Sequence, residues 1–271
     1  EKRWFKHGEV RTCIEKLGAY LVRRYNEKGE FSYDSYGHKV SGVDQRLTYA
    51  WTEGLRILRE AGGDFDYPAW SKKILAACET LIEHRLRKLE GVRRFCGRVM
   101  GTSTNHVALY CSTMYRAGQV LHRPDLCEYI LPIARARAAD VHPDGYWDEH
   151  SDLLRTAGPT PSYNYLTHCG MALLAEWTGE AVFKAAVERS TRFHGNFCYP
   201  DASFFDLIDH DQAQVPFAQL VHGQVDGQEL TVDLVRVARA LGARQTFTQQ
   251  GQYLAVGAAA LAGILVQHHL V

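Results

Sequence analysis

Long apolar runs are missing from this sequence. The longest near its end, Val256 to Val266 (VGAAALAGILV), falls well short of the ~20 residues a membrane-spanning helix needs. It reads as a buried core helix, and no membrane partner is expected. Net charge is missing too, since Lys plus Arg and Asp plus Glu number 31 each. No global field draws such a chain to nucleic acid, so any large ligand has to be held by local contacts. The seven cysteines (Cys13, Cys78, Cys96, Cys111, Cys127, Cys169, Cys198) contain no CxxC pair and are widely spread, which argues against a zinc knuckle or a dense disulfide framework. They read as small core residues. No basic and apolar leader follows Glu1, so an export signal is expected either to have been removed or never to have been present.

What the sequence does have is helical periodicity. Val10, Cys13, Ile14, Leu17, Tyr20 and Leu21 recur at helical spacing and stop at Asn26-Glu27-Lys28-Gly29. Leu47, Ala50, Trp51, Leu55 and Leu58 repeat the pattern up to Gly62-Gly63. Ile74, Leu75, Cys78, Leu81, Ile82 and Leu89 follow Pro68, a residue suited to a first turn. Further helices are expected over 105–121, 125–141, 162–177, 180–195, 229–241 and 252–269, with Gly, Pro and Asp at nearly every junction. Phe197 to Gln212 breaks the pattern and reads as extended or irregular. Helices of ~12–20 residues on short loops, without sustained heptads, suggest stacked antiparallel hairpins. The expectation is an all-α fold, an α/α toroid or incomplete barrel of helical hairpins, forming one domain over 1–271. A closed ring can call for more helices than these, so an excised part of a longer chain is also an expectation.

Three segments carry polar residues that a core would not select. Gly101-Thr-Ser-Thr-Asn105-His106 precedes an apolar helix, with Ser103 or Thr104 as its N-cap and Asn105 and His106 in the partly positive first turn. Pro143-Asp144-Gly145-Tyr146-Trp147-Asp148-Glu149-His150 holds an Asp-Gly turn. Its Tyr146 and Trp147 can offer a face to a flat ligand, and His150 can exchange a proton near neutral pH. Arg155 is followed by a rigid turn, Gly158-Pro159-Thr160-Pro161, and then Ser162-Tyr163-Asn164-Tyr165, with Ser162 as the expected N-cap and one of the two tyrosines expected to face a cleft. Arg46 is a candidate contact for a more distant part of a ligand, although a helix-surface arginine is the plainer reading. Asp206, Asp209, His210 and Asp211 match neither EF-hand nor zinc spacing, so no metal or other cofactor is expected.

An Asn-His at one helix start, an Asp-Gly-aromatic loop and a Tyr-x-Tyr at the next helix start together resemble the toroid polysaccharide lyases of the alginate lyase, chondroitin lyase and heparinase II/III-like types. Asn105-His106 resembles the Asn-His of the alginate lyases, and Ser162-Tyr163-Asn164-Tyr165 their Tyr-bearing helix start. Asp144 to His150 resembles the Asp-Gly-x-aromatic-x-x-His of the chondroitin lyase group. The match spans the middle third of the chain and its motifs are short. It departs from the pattern at Gly158, where alginate lyases carry an arginine. Arg155 stands in for that residue only if the loop bends back.

The resemblance implies β-elimination on an anionic, uronic-acid-containing polysaccharide. Asn105, aided by His106 or Arg155, would neutralise the sugar carboxylate. Tyr165 or Tyr163, with His106 or His150, would move the proton. Trp147, Tyr146, Arg155 and Arg46 would bind substrate. It also implies a secreted or periplasmic location. Two rivals stay open. One is a toroid glycoside hydrolase using carboxylates among Asp144, Asp148, Glu149 and Asp152, and the other is a non-catalytic glycan-binding helical protein.

Overall fold

A computed structural model describes residues 8–35, 38–60, 67–149, 159–196, 221–225 and 228–232. The described chain is mostly helical. Helix α1 spans Gly8–Arg24, α2 Gln45–Glu60, α3 Pro68–His84, the single turn α4 Gly97–Met100, α5 Thr104–Val120, α6 Pro124–Ala139, α7 Pro161–Thr178 and α8 Ala181–Gly195. A 3-10 turn, Leu86–Leu89, follows α3. Among the described residues no helix is long and apolar enough to cross a membrane.

Local chemistry explains several boundaries. Pro68 and Pro124 sit in the first turns of α3 and α6, where a missing N–H costs nothing. Asp44 caps α2, its Oδ1 accepting from the N–H groups of Arg46 (2.9 Å) and Leu47 (3.0 Å). Gly179, in the left-handed region at φ 70°, closes α7. That helix begins one residue before the expected Ser162. Pro161 takes the first helical position and Thr160 becomes the N-cap residue, because a proline's fixed φ already matches the helix.

Three antiparallel hairpins, α2/α3, α5/α6 and α7/α8, stack side by side. Hydrogen bonds fix their directions. Thr113 donates to Gln45 O at the start of α2, and Arg59 near its end donates to Val120 O, so α2 and α5 run the same way. Arg59 also reaches Ser71 at the start of α3 (3.3 Å), which therefore runs back. Cys127 of α6 approaches Tyr115 O of α5 (3.4 Å), and Arg135 of α6 makes a paired contact with Glu180 ahead of α8 (2.7 and 2.8 Å). The result is one layer of α2, α5 and α7 backed by α3, α6 and α8. Between the layers lies the core, including Leu55, Ile74, Met114, Ile130 and Phe183, all at most 1 % exposed. Each such side chain contributes on the order of 1.5–3 kcal/mol by leaving water.

Two short β-hairpins accompany the helices. Strands β1 (Phe31–Ser35) and β2 (His38–Gly42) pair antiparallel, with Tyr33 opposite Val40. Strands β3 (Val221–Val225) and β4 (Gln228–Val232) pair in the same way, with Gly223 opposite Leu230. The second hairpin corrects the start of the helix expected over 229–241, since 229–232 are strand, and 233–241 lie outside the described residues. Glu229, Leu230, Thr231 and Val232 alternate polar and apolar, and a period of two suits a strand as well as a helix start. The irregular segment expected over 197–212 and the helix expected over 252–269 lie outside the described residues.

Candidate functional site at the starts of α5 and α7

The segment between α6 and α7 turns sharply at Pro143 to Tyr146. His142 N–H donates to Tyr146 O (2.7 Å) and Gly145 N–H to His142 O (2.8 Å). Gly145 is required here twice. Its φ is +98°, and a Cβ would stand 2.4 Å from Arg189 O on α8. The turn aims Trp147 inward, where it is 1 % exposed and its indole N–H donates to Arg137 O (2.9 Å). This corrects the role expected of Trp147. A ring sealed in the core offers no face to a sugar, and its place is set by the volume it fills. Tyr146 stays half-buried, stacked on His142 with ring centres 4.3 Å apart and flanked by Phe193 at 5.4 Å. Burial raises its phenol above the ordinary range.

Next, the chain passes between two helix starts. Thr104 in the first turn of α5 donates its hydroxyl to Asp148 O (2.6 Å), while Asn164 in the first turn of α7 donates Nδ2 to Trp147 O (2.8 Å). Successive residues thereby tie α5 and α7 together at the same end. Further along, the helices cross where Gly170 meets Ala108. A Cβ on Gly170 would lie 3.0 Å from Ala108 O. Asn105 and His106 thus start one helix, and Tyr163 and Tyr165 start its parallel neighbour.

Asn105 is 3 % exposed. Its Oδ1 accepts from the Ser103 hydroxyl and from the His106 N–H (2.8 Å), which leaves Nδ2 as the donor end of the amide. Ser103 holds the N-cap position in extended backbone, yet its hydroxyl does not cap the helix. His106 is exposed, with Nδ1 3.3 Å from the Thr102 hydroxyl. Tyr163 and Tyr165 are half-buried. Tyr165 lies parallel to His168 (6.3 Å) and edge-on to His194 of α8 (5.9 Å). Burial lowers both histidines to about 4, and each is neutral at pH 7.

Glu149 completes the group. It is 1 % exposed, and among the described residues neither carboxyl oxygen makes a hydrogen bond of ordinary geometry. Burial raises its pKa to about 7, opposed by the neighbouring Ser103 hydroxyl and the Asn105 N–H. The carboxyl therefore sits where a capping side chain of α5 would.

Other expected residues stand apart. Arg46 is solvent-exposed beside Asp44 (3.9 Å). The start of α2 is level with Thr113, roughly 13 Å along α5 from Thr104 at 1.5 Å per residue. His150, Arg155 and the 206–211 acidic cluster lie outside the described residues. Among those described, no three His, Cys, Asp or Glu side chains gather to hold a metal. A groove of roughly 550 Å³ beside α6, lined by Glu90, Val92, Tyr129 and Pro132 among others, shares no residue with this group.

Sequence reasoning missed two members, His168 and His194, and named Glu149 only among four carboxylates for a hydrolase. His194 had a signal, because Phe183, Ala186, Val187, Ser190 and His194 fall on one buried stripe of α8. Comparison of the chain with known protein families, with curated proteins and with solved structures finds no match.

Proposed function

We propose that the chain is a polysaccharide lyase that cleaves a uronic-acid-containing polysaccharide by β-elimination, within an α/α toroid of which α2/α3, α5/α6 and α7/α8 form an arc. The observation that carries this reading is the tie through residues 147–148. It holds an oriented amide, Asn105, and two phenols, Tyr163 and Tyr165, at the same end of adjacent parallel helices. The difficulty of the reaction is removing the proton beside an ionised carboxylate. Asn105 Nδ2 and the positive ends of α5 and α7 would meet the charge that develops there. Tyr165 would act as acid or base, with Tyr163 as the substitute, and His106, His150 or the neutral His168 and His194 would exchange its proton. A location outside the cytoplasm belongs to the same proposal.

One observation favours a second reading. A buried carboxyl raised to about 7, as at Glu149, is the kind of group that serves as general acid in a glycoside hydrolase. Incubation with alginate, glucuronan, pectate and glycosaminoglycans separates the readings. Lysis leaves ultraviolet-absorbing unsaturated ends, whereas hydrolysis leaves saturated products heavier by one water. Asn105→Ala should lower lysis by about a hundredfold or more, and either Tyr165→Phe or Tyr163→Phe should abolish it with ligand still bound. Saturated products would refute elimination, and binding without turnover would leave a glycan-binding protein.

A further inference from the structure

We infer that Glu149 is a positioning residue for Asn105, acting through the single proton of the Ser103 hydroxyl. The inference deepens the lyase reading and rests on it for its catalytic meaning. An amide neutralises a carboxylate only through its NH2 end. The inward orientation of Asn105 Oδ1 is held by two donors, the Ser103 hydroxyl and the His106 N–H. The second is fixed backbone. The first is a rotor with one proton to give, and the bond from the Thr104 hydroxyl to Asp148 O pins the next residue, the buried and unpartnered Glu149, at the same helix start.

Two states follow. A protonated Glu149 needs nothing from Ser103, so the hydroxyl stays on Asn105 Oδ1 and the amide is locked for catalysis. An ionised Glu149 is a buried anion whose nearby donors are Ser103 and the Asn105 N–H. Hydrogen bonds to a charged acceptor are about twice as strong as neutral ones, so the Ser103 proton turns to the carboxylate. Asn105 then loses one of the two bonds that orient it.

The titratable groups on the elements that meet at this end are Asp148 beside Glu149 in the chain, His106 on α5, Tyr163, Tyr165 and His168 on α7, and His194 on α8. His150, next in sequence, is outside the described residues. Among the described groups none sets a charge against Glu149, which answers to burial, Ser103 and Asn105. Among the described residues the equilibrium is thereby local to Glu149, Ser103 and Asn105.

The experiment uses the full chain in two arms. In the first, the side-chain NH2 signals of Asn105, assigned by their loss in Asn105→Asp, are followed by NMR from pH 5.5 to 8.5. They should move with a midpoint near 7 in the wild type and stay flat in Glu149→Gln and Ser103→Ala. Wild-type signals that do not titrate, or that titrate unchanged in Glu149→Gln, overturn the proposal. Ser103→Ala, which trims one half-buried hydroxyl, keeps the test open if Glu149→Gln does not fold.

The second arm uses the polymer that the screen identifies. Wild-type kcat should fall about tenfold through this range, the worth of one orienting hydrogen bond, with KM little changed. Glu149→Gln should keep the low-pH rate and lose the fall, and Glu149→Ala should be slow throughout. A Glu149→Gln profile identical to wild type overturns the positioning role. If the wild type cleaves no polymer while the NMR titration behaves as expected, the lyase reading fails and the Glu149–Ser103–Asn105 coupling stands.

Discussion

Folding stability should peak near pH 6.5, and Glu149→Gln should remove the decline on the alkaline side. Glu149 goes from an ordinary 4.5 to about 7 on folding, so the native state holds its proton more tightly than the unfolded chain does. Its contribution is fully present below pH 4.5 and is lost as pH rises through about 7. At 1.36 kcal/mol per pH unit the full effect is about 3 kcal/mol. His168 and His194 act in the opposite sense, falling from 6.5 to about 4. Their contribution is present above pH 6.5 and is lost on acidification toward 4. Two histidines outweigh one carboxyl between pH 4.5 and 6.5, so stability climbs with pH there. Above 6.5 Glu149 is, among the described residues, the group that still titrates differently in the two states, until the buried thiols enter above their ordinary 9, Cys169 raised to about 11 and Cys78 and Cys111 to about 12. Urea unfolding at pH 5, 6.5 and 8 measures all three regimes. Glu149→Gln should match wild type in slope below pH 6.5 less the carboxyl's share, and exceed it in stability at pH 8 by up to about 3 kcal/mol. Parallel curves for the two proteins between pH 6.5 and 8 would refute the reasoning.

Gly145→Ala should cost about 2 kcal/mol or more in urea unfolding, because φ is +98° and the new methyl meets Arg189 O. Trp147→Phe should cost about 1–3 kcal/mol from the lost bond to Arg137 O and the unfilled volume, without weakening ligand binding. A drop in polymer affinity alone would restore the platform role to Trp147. On the half-buried faces of α2, α5 and α7, Arg116 pairs with Glu53 and lies 4.8 Å over the Trp177 ring. A double-mutant cycle of Arg116→Ala with Trp177→Ala should give a coupling of about 1 kcal/mol, and a coupling of zero would show the ring contact to be inert.

Much of the helical order was legible because it rests on local signals. The stripe Leu47, Ala50, Trp51, Leu55 and Leu58 names its own buried face, and Pro68 marks its own helix start. What was illegible depends on other segments. Trp147 and Tyr146 are neighbours of similar chemistry, and only the close fit of Gly145 against α8 decides that one is sealed in the core and the other half-buried. The β1/β2 hairpin is five residues on each side, too short for alternation to stand out from noise. Glu149 belongs to a segment rich in ionisable groups. Its distinction from Asp144 and Asp148 comes from lodging at the start of α5, a long-range fact.

The same dependence explains why polar residues gather where they do. Every helix start leaves N–H groups without partners inside the helix, and a start buried between two layers must find acceptors from elsewhere in the chain. At α5 the local candidate, Ser103, spends its hydroxyl on Asn105. Asn105 Oδ1 in turn accepts the His106 N–H, and Thr104 in the same turn donates its hydroxyl to the Asp148 carbonyl. At α7 the direction is the same, with Asn164 donating to the Trp147 carbonyl while its own Oδ1 stays buried without a partner among the described residues. Satisfying helix termini therefore concentrates amides, hydroxyls and a proton-holding carboxyl at one end of α5 and α7. A core solved only by apolar contacts would not need them there.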